Sequence, residues 1–360
     1  MLKVYHFILD HRVGGPHVYA KTIASALKDR VHSIFVTSGN GQITDIALIN
    51  LRHIFQILYP LEILLNVIKL IWIFRNRGSR IKCIFDIHGA ANIAPVFASR
   101  ILRIPYVWHF HETLRDFKSI ALLGRIGVSG DKHKYVVVAR KSIEVFGLTD
   151  AMVIPGSIDL NFWHPIKLER SLRSHTSPLR LLTVGNLNPL KGQDILLDAM
   201  TNLNNFWELD IAGSSLPTHR EYEAKLKDKA SFLSSQGSVR FLGWQSPEQL
   251  RKLLFVSDIF ILPSKSEACP IALLEAMAMG CICIATNVGD VGEIIKDLES
   301  GFLVASNSSK CLQVAIKKAS NMSWSERSKM SKSAQTEIVL RYSQERMAKS
   351  HLDLYLSLCK

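Results

Sequence analysis

Short apolar runs recur along the whole chain, each closed by a glycine or polar turn and separated by stretches of helical period. In the first half they are KVYHFIL (3–9), HSIFVT (32–37), CIFDIH (83–88), PYVWHFH (105–111), KYVVVA (134–139) and AMVIPG (151–156). In the second half they are LRLLTVG (179–185), ELDIAG (208–213), VRFLG (239–243), DIFILP (258–263), CICIAT (281–286) and GFLVA (301–305). Near-continuous apolar strands alternating with helices predict parallel sheets covered on both faces. Between the halves the pattern lapses into a polar, basic stretch with two prolines, Pro165 and Pro178. The reading is therefore α/β. Two doubly wound domains occupy residues 1–160 and 179–342, a linker occupies 161–178, and a last helix occupies 343–360.

One run breaks this rhythm. IFQILYPLEILLNVIKLIWIF (54–74) approaches the length of a membrane span. It nevertheless holds Pro60, Glu62, Asn66 and Lys69, the last three on one helical face. Trp72, Arg75 and Arg77 close it. The pattern predicts a two-part helix with a narrow polar stripe and a wide apolar surface. Such a helix packs on a sheet, meets a bilayer interface with its apolar face, or spans.

Composition narrows the partners. The 360 residues are 48% hydrophobic and 21% charged, which excludes a disordered chain. Lys+Arg outnumber Asp+Glu 44 to 31, a net charge of +13 that favours acidic partners. The basic residues are spread out and no nucleic-acid signature accompanies them, so an anionic membrane surface fits better than RNA or DNA. Cys83, Cys269, Cys281, Cys283, Cys311 and Cys359 form no CxxC pair, so reduced thiols are expected rather than a zinc site. The first apolar run ends at Asp10, as a strand does and a signal peptide does not. A cytoplasmic protein, peripheral at the inner face of the membrane, is the expectation.

The densest candidate chemistry lies in PSKSEACPIALLE, residues 263–275. A strand tail, a turn of small polar residues and a strong helix former follow one another. Backbone N–H groups and the helix dipole then point the same way, which makes an anion site. Glu267 and Glu275, eight positions apart (275 − 267), would take hydroxyls, because an ionised carboxylate only accepts. Phosphate plus hydroxyls describes a nucleotide sugar. The plain alternative is a helix N-terminal turn with one ordinary helix glutamate. Lys191, in LTVGNLNPLKGQDILL, stands at another strand-to-helix turn. A cation there is mildly unfavourable without an anion.

These motifs resemble the retaining glycosyltransferases of family four, glycosyl transferases group 1, which have the GT-B fold. The likeness extends to enzymes of bacterial surface polysaccharide. The resemblance implies two Rossmann-like domains facing across a cleft, the last helix crossing back to the first. It implies that Glu267 touches the donor sugar and Glu275 grips the ribose. It also places the turn residues Ala268, Cys269, Pro270 and Ile271 against sugar and diphosphate. Gly185, Asn186 and Lys191 match the loop whose Arg and Lys clamp the diphosphate. Asn186 stands where the Arg is expected, and Lys265 is a candidate substitute. Gly14 and Gly15 match the N-terminal glycine loop. His111 matches a histidine near the donor sugar, with His109 on the same strand face and His88 at the end of the neighbouring strand. Gly156, Ser157 and Asp159 match a hinge, Gly289, Asp290 and Glu293 a further loop, and Arg140 a strand mouth. The implied catalytic set is His111, Glu267 and Lys191.

The implied reaction moves a sugar from a nucleotide-sugar donor to a hydroxyl of a glycan or lipid-linked glycan acceptor, with no obligate metal. The expected products are cell-surface polysaccharides such as O-antigen, capsule or exopolysaccharide. A nucleotide-sugar epimerase and a non-catalytic nucleotide-sugar binding protein are the alternatives on the same fold. A dinucleotide dehydrogenase is disfavoured, since no strand is followed by GxGxxG.

Overall fold

The structure is a computed structural model. It describes residues 1–9, 15–38, 45–49, 59–75, 82–112, 118–125, 132–164, 178–201, 203, 206–233 and 237–360. The chain forms two compact units, residues 1–157 with 344–360, and residues 158–343. Of the expected linker, residues 165–177 lie outside the described residues.

The first unit runs β1 (Leu2–Ile8), α1 (Gly15–Ala26), β2 (Val31–Ser38), β3 (Ile46–Leu48), α2 (Tyr59–Arg75) and β4 (Cys83–His88). It continues through α3 (Ala94–Leu102), β5 (Tyr106–Phe110), α4 (Lys118–Arg125), β6 (His133–Val137), α5 (Lys141–Phe146) and β7 (Ala151–Val153). The second unit runs β8 (Leu179–Val184), α6 (Gln193–Met200), β9 (Trp207–Ala212), α7 (Arg220–Ser231), β10 (Gly237–Gly243) and α8 (Pro247–Val256). Then come β11 (Ile259–Leu262), α9 (Ile271–Ala278), β12 (Ile282–Thr286), α10 (Val291–Ile294), β13 (Phe302–Val304), α11 (Ser309–Ser320) and α12 (Trp324–Arg341). The last helix, α13 (Gln344–Leu358), belongs to the first unit and packs on α1.

Both sheets are parallel and doubly wound, as the apolar runs predict. Among the described residues the first has strand order β3-β2-β1-β4-β5-β6-β7 and the second β10-β9-β8-β11-β12-β13. In each, the chain starts at a central strand, winds outward on one side and returns to continue on the other. The reversal falls between β1 and β4, and between β8 and β11. In such sheets ligands bind beyond the carboxyl ends of the two strands flanking the reversal.

The strands of the first sheet are less uniform than their apolar sequences imply. One face presents Tyr5, Phe7, Phe85, Ile87, Trp108 and Phe110 to a core shared with residues of α2, α3 and α5. The opposite face carries His6, Asp86, His88 and His109, all buried. Period-two alternation separates the two sets.

Helix α2 carries polar residues on its inward side, beside the buried Val67 and Leu70, and apolar ones on its outward side. Pro60 sits in its first turn, where a missing N–H is no loss. Glu62 and Asn66 are buried, whereas Leu61, Leu64, Ile68 and Trp72 are exposed. The cause is the sheet edge. Asn66 accepts from Ile49 N at 2.8 Å and donates to Ile49 O at 3.0 Å, and Lys69 Nζ donates to Ala47 O at 2.8 Å. The polar stripe satisfies backbone groups of the edge strand β3 that would otherwise invite pairing. Residues 54–58 of the expected two-part helix lie outside the described residues. Among the described residues, no helix is long and apolar enough to cross a membrane.

Replacing Asn66 by Leu strips both backbone groups of Ile49 of their partner. The expected cost is about 1–3 kcal/mol of stability in the first unit. It is read from urea unfolding and faster amide exchange at Ile49. Leu64→Ser, on the outward face, should stay within about 0.5 kcal/mol of the parent.

Candidate functional site

At the reversal of the second sheet, three loops converge on Glu267. After β8, Asn188 accepts from Leu190 N at 2.9 Å and sets a short 3-10 turn over Pro189–Lys191. Gly192 follows at φ +67°, where a Cβ would lie 2.1 Å from Pro263 O. Only glycine lets this turn press onto the end of β11. The stem of Lys191 lies along Gly185, and Lys265 N donates to Leu190 O at 2.7 Å. From the other side, a Cβ on Gly289 (φ +56°) would lie 1.9 Å from Glu267 O, so the loop after β12 abuts the same peptide.

The side chains meet accordingly. Lys191 Nζ lies 2.6 Å from Glu267 Oε1, and Ser264 Oγ donates to the same oxygen at 2.6 Å. Lys265 Nζ lies 3.3 Å from Asp194 Oδ2. Ala268 and Cys269 are half-buried in the bend before α9. Pro270 caps α9 without a side-chain hydrogen bond, so the first-turn amides from Ile271 onward receive no side-chain cap. Glu275 lies in the second turn of α9. Burial pushes its carboxyl up to about 8. This bend offers an ammonium, an uncapped helix start and two acids to one small region.

At the reversal of the first sheet the chemistry is different. His6 on β1 pairs in register with Asp86 on β4, and His88 on β4 with His109 on β5. The Asp86 carboxylate is reached by His6 Nδ1 at 2.8 Å, His88 Nε2 at 3.0 Å and His109 Nε2 at 2.7 Å. His88 Nδ1 then lies 3.1 Å from Nε2 of His111, just past β5. Tyr19 of α1 stands edge-on to His88, His109 and His111, and His351 of α13 stacks on His109 at 5.4 Å.

Burial raises the Asp86 carboxyl, but the charges of His109 and His88 and the hydrogen bonds of His109 and His6 outweigh it. The result lies well below the usual carboxylate range. Burial lowers His88 to about 4 and His351 to about 4, the neighbouring Asp86 opposing it in both. It also lowers His109, and it lowers His111 further, with His88 and His109 adding to the effect.

Among the described residues, two sets converge closely enough to offer metal ligands, His88–His109–His111 and His6–Asp86–His88. The rings of His88 and His109 are stacked 4.4 Å apart at 17°, and both present Nε2 to Asp86. Their Nδ1 lone pairs therefore run side by side and do not meet at one point. The arrangement suits hydrogen bonding better than chelation.

The bend thus brings together Gly185, Lys191, Lys265, Glu267, Ala268, Cys269, Pro270, Ile271 and Glu275. Asn186 is exposed, and Gln193 donates to its carbonyl at 3.1 Å. Gly15 opens α1, while Gly14 lies outside the described residues. His111 is half-buried at its strand end, whereas His88 and His109 are buried behind it. Glu112 turns back to accept from Ala90 N and His111 N, which gives it a loop-tying role. Arg140 begins α5 and is exposed, and Glu293 lies 3.9 Å from Arg341 at the end of α12. Ser264, Asp194, His6, Asp86 and His351 did not stand out in the sequence. A histidine or aspartate at alternate positions of otherwise apolar strands was the available sign for His6 and Asp86.

The histidine pKa values predict an acid-labile fold. His88, His109, His111 and His351 stay neutral when folded, whereas an unfolded chain protonates each near pH 6.5. The unfolded state then binds more protons, so stability falls as pH drops from about 6.5 towards 4. Glu275 and Glu112, both raised, oppose this but are fewer. Urea midpoints, with amide exchange in β4 and β5, should decline through this window. A flat profile would mean that the histidines are charged in the folded state.

Residues 166–337 match the family described as glycosyl transferases group 1. An uncharacterized glycosyltransferase of Methanocaldococcus jannaschii is 29% identical over 278 residues, covering 71% of this chain and 70% of its own length. The amylovoran biosynthesis glycosyltransferase AmsK of Erwinia amylovora is 28% identical over 162 residues, covering 42% of this chain and only 39% of its own. Among solved structures, Anabaena HepE in complex with UDP superposes with a TM-score of 0.81 at 19% identity. That match covers 99% of this chain and 100% of HepE, and it speaks for the fold. Two doubly wound sheets, the Lys191–Glu267 bend and these matches agree: residues 166–337 carry the glycosyl transferases group 1 domain, and the whole chain has the GT-B fold.

Proposed function

We propose that the chain transfers a sugar, with retention of anomeric configuration, from a nucleoside diphosphate donor to an acceptor hydroxyl. The observation that carries this reading is the Lys191–Glu267–Ser264 cluster beside the uncapped start of α9, at the reversal of the second sheet. As the bond from the anomeric carbon to the diphosphate breaks, negative charge grows on the leaving oxygens. Lys191 and the α9 amides stand ready to stabilise it without reorganising. The acceptor oxygen bonds to the same face of the anomeric carbon, and its proton leaves with a phosphate oxygen. Glu267 holds sugar hydroxyls, Glu275 holds the ribose, and His111 meets a sugar hydroxyl. No step is assigned to a metal. The complex of HepE with UDP supports a uridine-type donor.

The acceptor is proposed to be lipid-linked, at the inner membrane face, in cell-surface polysaccharide synthesis. The outward row Leu61, Leu64, Ile68 and Trp72, with Arg75 at its end, supports this, as does the net charge of +13. The name of AmsK points to polysaccharide as well.

Exposed Asn186, where the resemblance expects an Arg, favours the second reading of donor binding without turnover. Radiolabelled nucleotide sugars with membrane lipids separate the cases. Transfer is expected, and Lys191→Met or Glu275→Ala should lower it about 10²-fold or more. Full activity in Glu275→Ala would remove the proposal. Calorimetric binding without transfer would indicate the binding protein. An altered free nucleotide sugar without acceptor would indicate an epimerase.

Co-sedimentation with vesicles tests the membrane face. Binding to vesicles containing anionic lipid is expected, and it should weaken about tenfold in Ile68→Ser/Trp72→Ser. Equal binding by parent and variant would exclude α2 as the contact.

A further inference from the structure

The buried row of the first unit decides a proton position. The Asp86 carboxylate can only accept, so each of its histidine partners must donate. His88 therefore carries its single proton on Nε2, 3.0 Å from Asp86 Oδ2, and its Nδ1 is a lone pair. His111 Nε2, 3.1 Å from that lone pair, must then be the donor. The opposite tautomer of His88 would aim a lone pair at the carboxylate and an N–H at His111. His6 obeys the same rule, with Nδ1–H to Asp86 and Nε2 available to the Ser33 hydroxyl at 3.1 Å. His109 obeys it at a cost. Its Nε2–H goes to Asp86, and its buried Nδ1 has no hydrogen-bond partner among the described residues. An arrangement that leaves one buried nitrogen unmatched while serving the carboxylate shows which demand dominates.

We infer that Asp86 is the positioning residue for His111, fixing through His88 the tautomer that keeps the proton on Nε2 and leaves Nδ1 as a lone-pair acceptor for a substrate hydroxyl. The part concerning substrate rests on the glycosyl-transfer reading. The tautomer itself does not. Burial lowers His88, His109 and His111 and so favours the neutral form of these three rings. A lone pair at Nδ1 accepts from O–H and repels an oxyanion. The ring thus favours a hydroxyl-bearing sugar over one with a carboxylate at the contacted position. Tyr19, His351 and Tyr355 also face the row. His351 Nδ1 lies 2.8 Å from Met347 O, so it is anchored in its own helix as a donor and does not compete for Asp86.

The test is nitrogen NMR of ring-labelled histidines in the whole protein at pH 7, with the His111 signals assigned by their loss in His111→Gln. The expected spectrum shows His111 protonated on Nε2 and bare on Nδ1. His88→Gln retains a donor for Asp86 and an acceptor for His111, and should keep that tautomer. His88→Leu and Asp86→Asn should give a mixture. If Asp86→Asn fails to fold, the two His88 variants carry the comparison. In the transfer assay, kcat/KM should fall about tenfold or more in His88→Leu, as expected when a ring loses its imposed tautomer, and recover in part in His88→Gln. A parent His111 protonated on Nδ1 or on both nitrogens overturns the inference. So does an unchanged tautomer in His88→Leu. Absence of any transfer by the parent would instead strike the proposed reaction, because the ring spectra are read without substrate.

Discussion

The close approach of backbone to backbone around Pro263 and Glu267 governs the candidate donor site. Gly192 presses on Pro263 from one side and Gly289 on Glu267 from the other, each at a distance that no Cβ could share. The 2.6 Å Lys191–Glu267 pair, with Glu267 largely buried, also has to offset the desolvation of the carboxylate and the entropy of a long lysine. Here the loops bring the charges together, and the ion pair follows. This ordering suits catalysis, which gains from charges fixed before the reaction begins.

The same logic, with opposite materials, shapes α2. A sheet edge needs partners for its backbone, and Asn66 and Lys69 supply them to Ile49 and Ala47. With Glu62 and Asn66 placed inward beside Val67 and Leu70, part of the apolar surface of that helix is left facing outward. Leu61, Leu64, Ile68 and Trp72 are exposed because the edge strand claimed the other face. An outward apolar row is costly in water unless something covers it. The protein keeps that row while Glu62 and Asn66 are buried, which favours a function for it over an accident of packing.

The fold was legible because its governing signal is local. Runs such as CIFDIH and DIFILP read as buried parallel strands, and both sheets follow from them. The bend before α9 was legible as a strand-to-helix turn for the same reason, since Glu267, Pro270 and Glu275 lie within one short segment. Contacts between distant segments were not legible. Ser264 was visible as a turn residue, but its bond to Glu267 depends on the turn's shape. Lys265 Nζ lies against Asp194, 71 positions earlier, a contact that local pattern does not reveal. Asp86 was hidden inside an apolar run because one polar residue scarcely alters a strand's hydropathy. The inward placement of Glu62 and Asn66 in α2 was not legible either, because Asn66 serves the backbone of Ile49, a contact between separate segments.

The two sheet reversals show two ways of placing charge at strand ends. In the second unit Lys191 and Glu267 remain partly accessible, and a bound anion can still change the balance between them. In the first unit Asp86 is fully buried and surrounded by donors, so nothing entering from solvent meets its charge directly. A carboxylate so enclosed is expensive unless fully hydrogen-bonded, and three imidazoles meet that need. Its influence can leave the interior only through the orientation of those rings. Of the rings traced from it, His111 is the one that is only half-buried, so the effect of the buried charge emerges there, as a choice between two nitrogens.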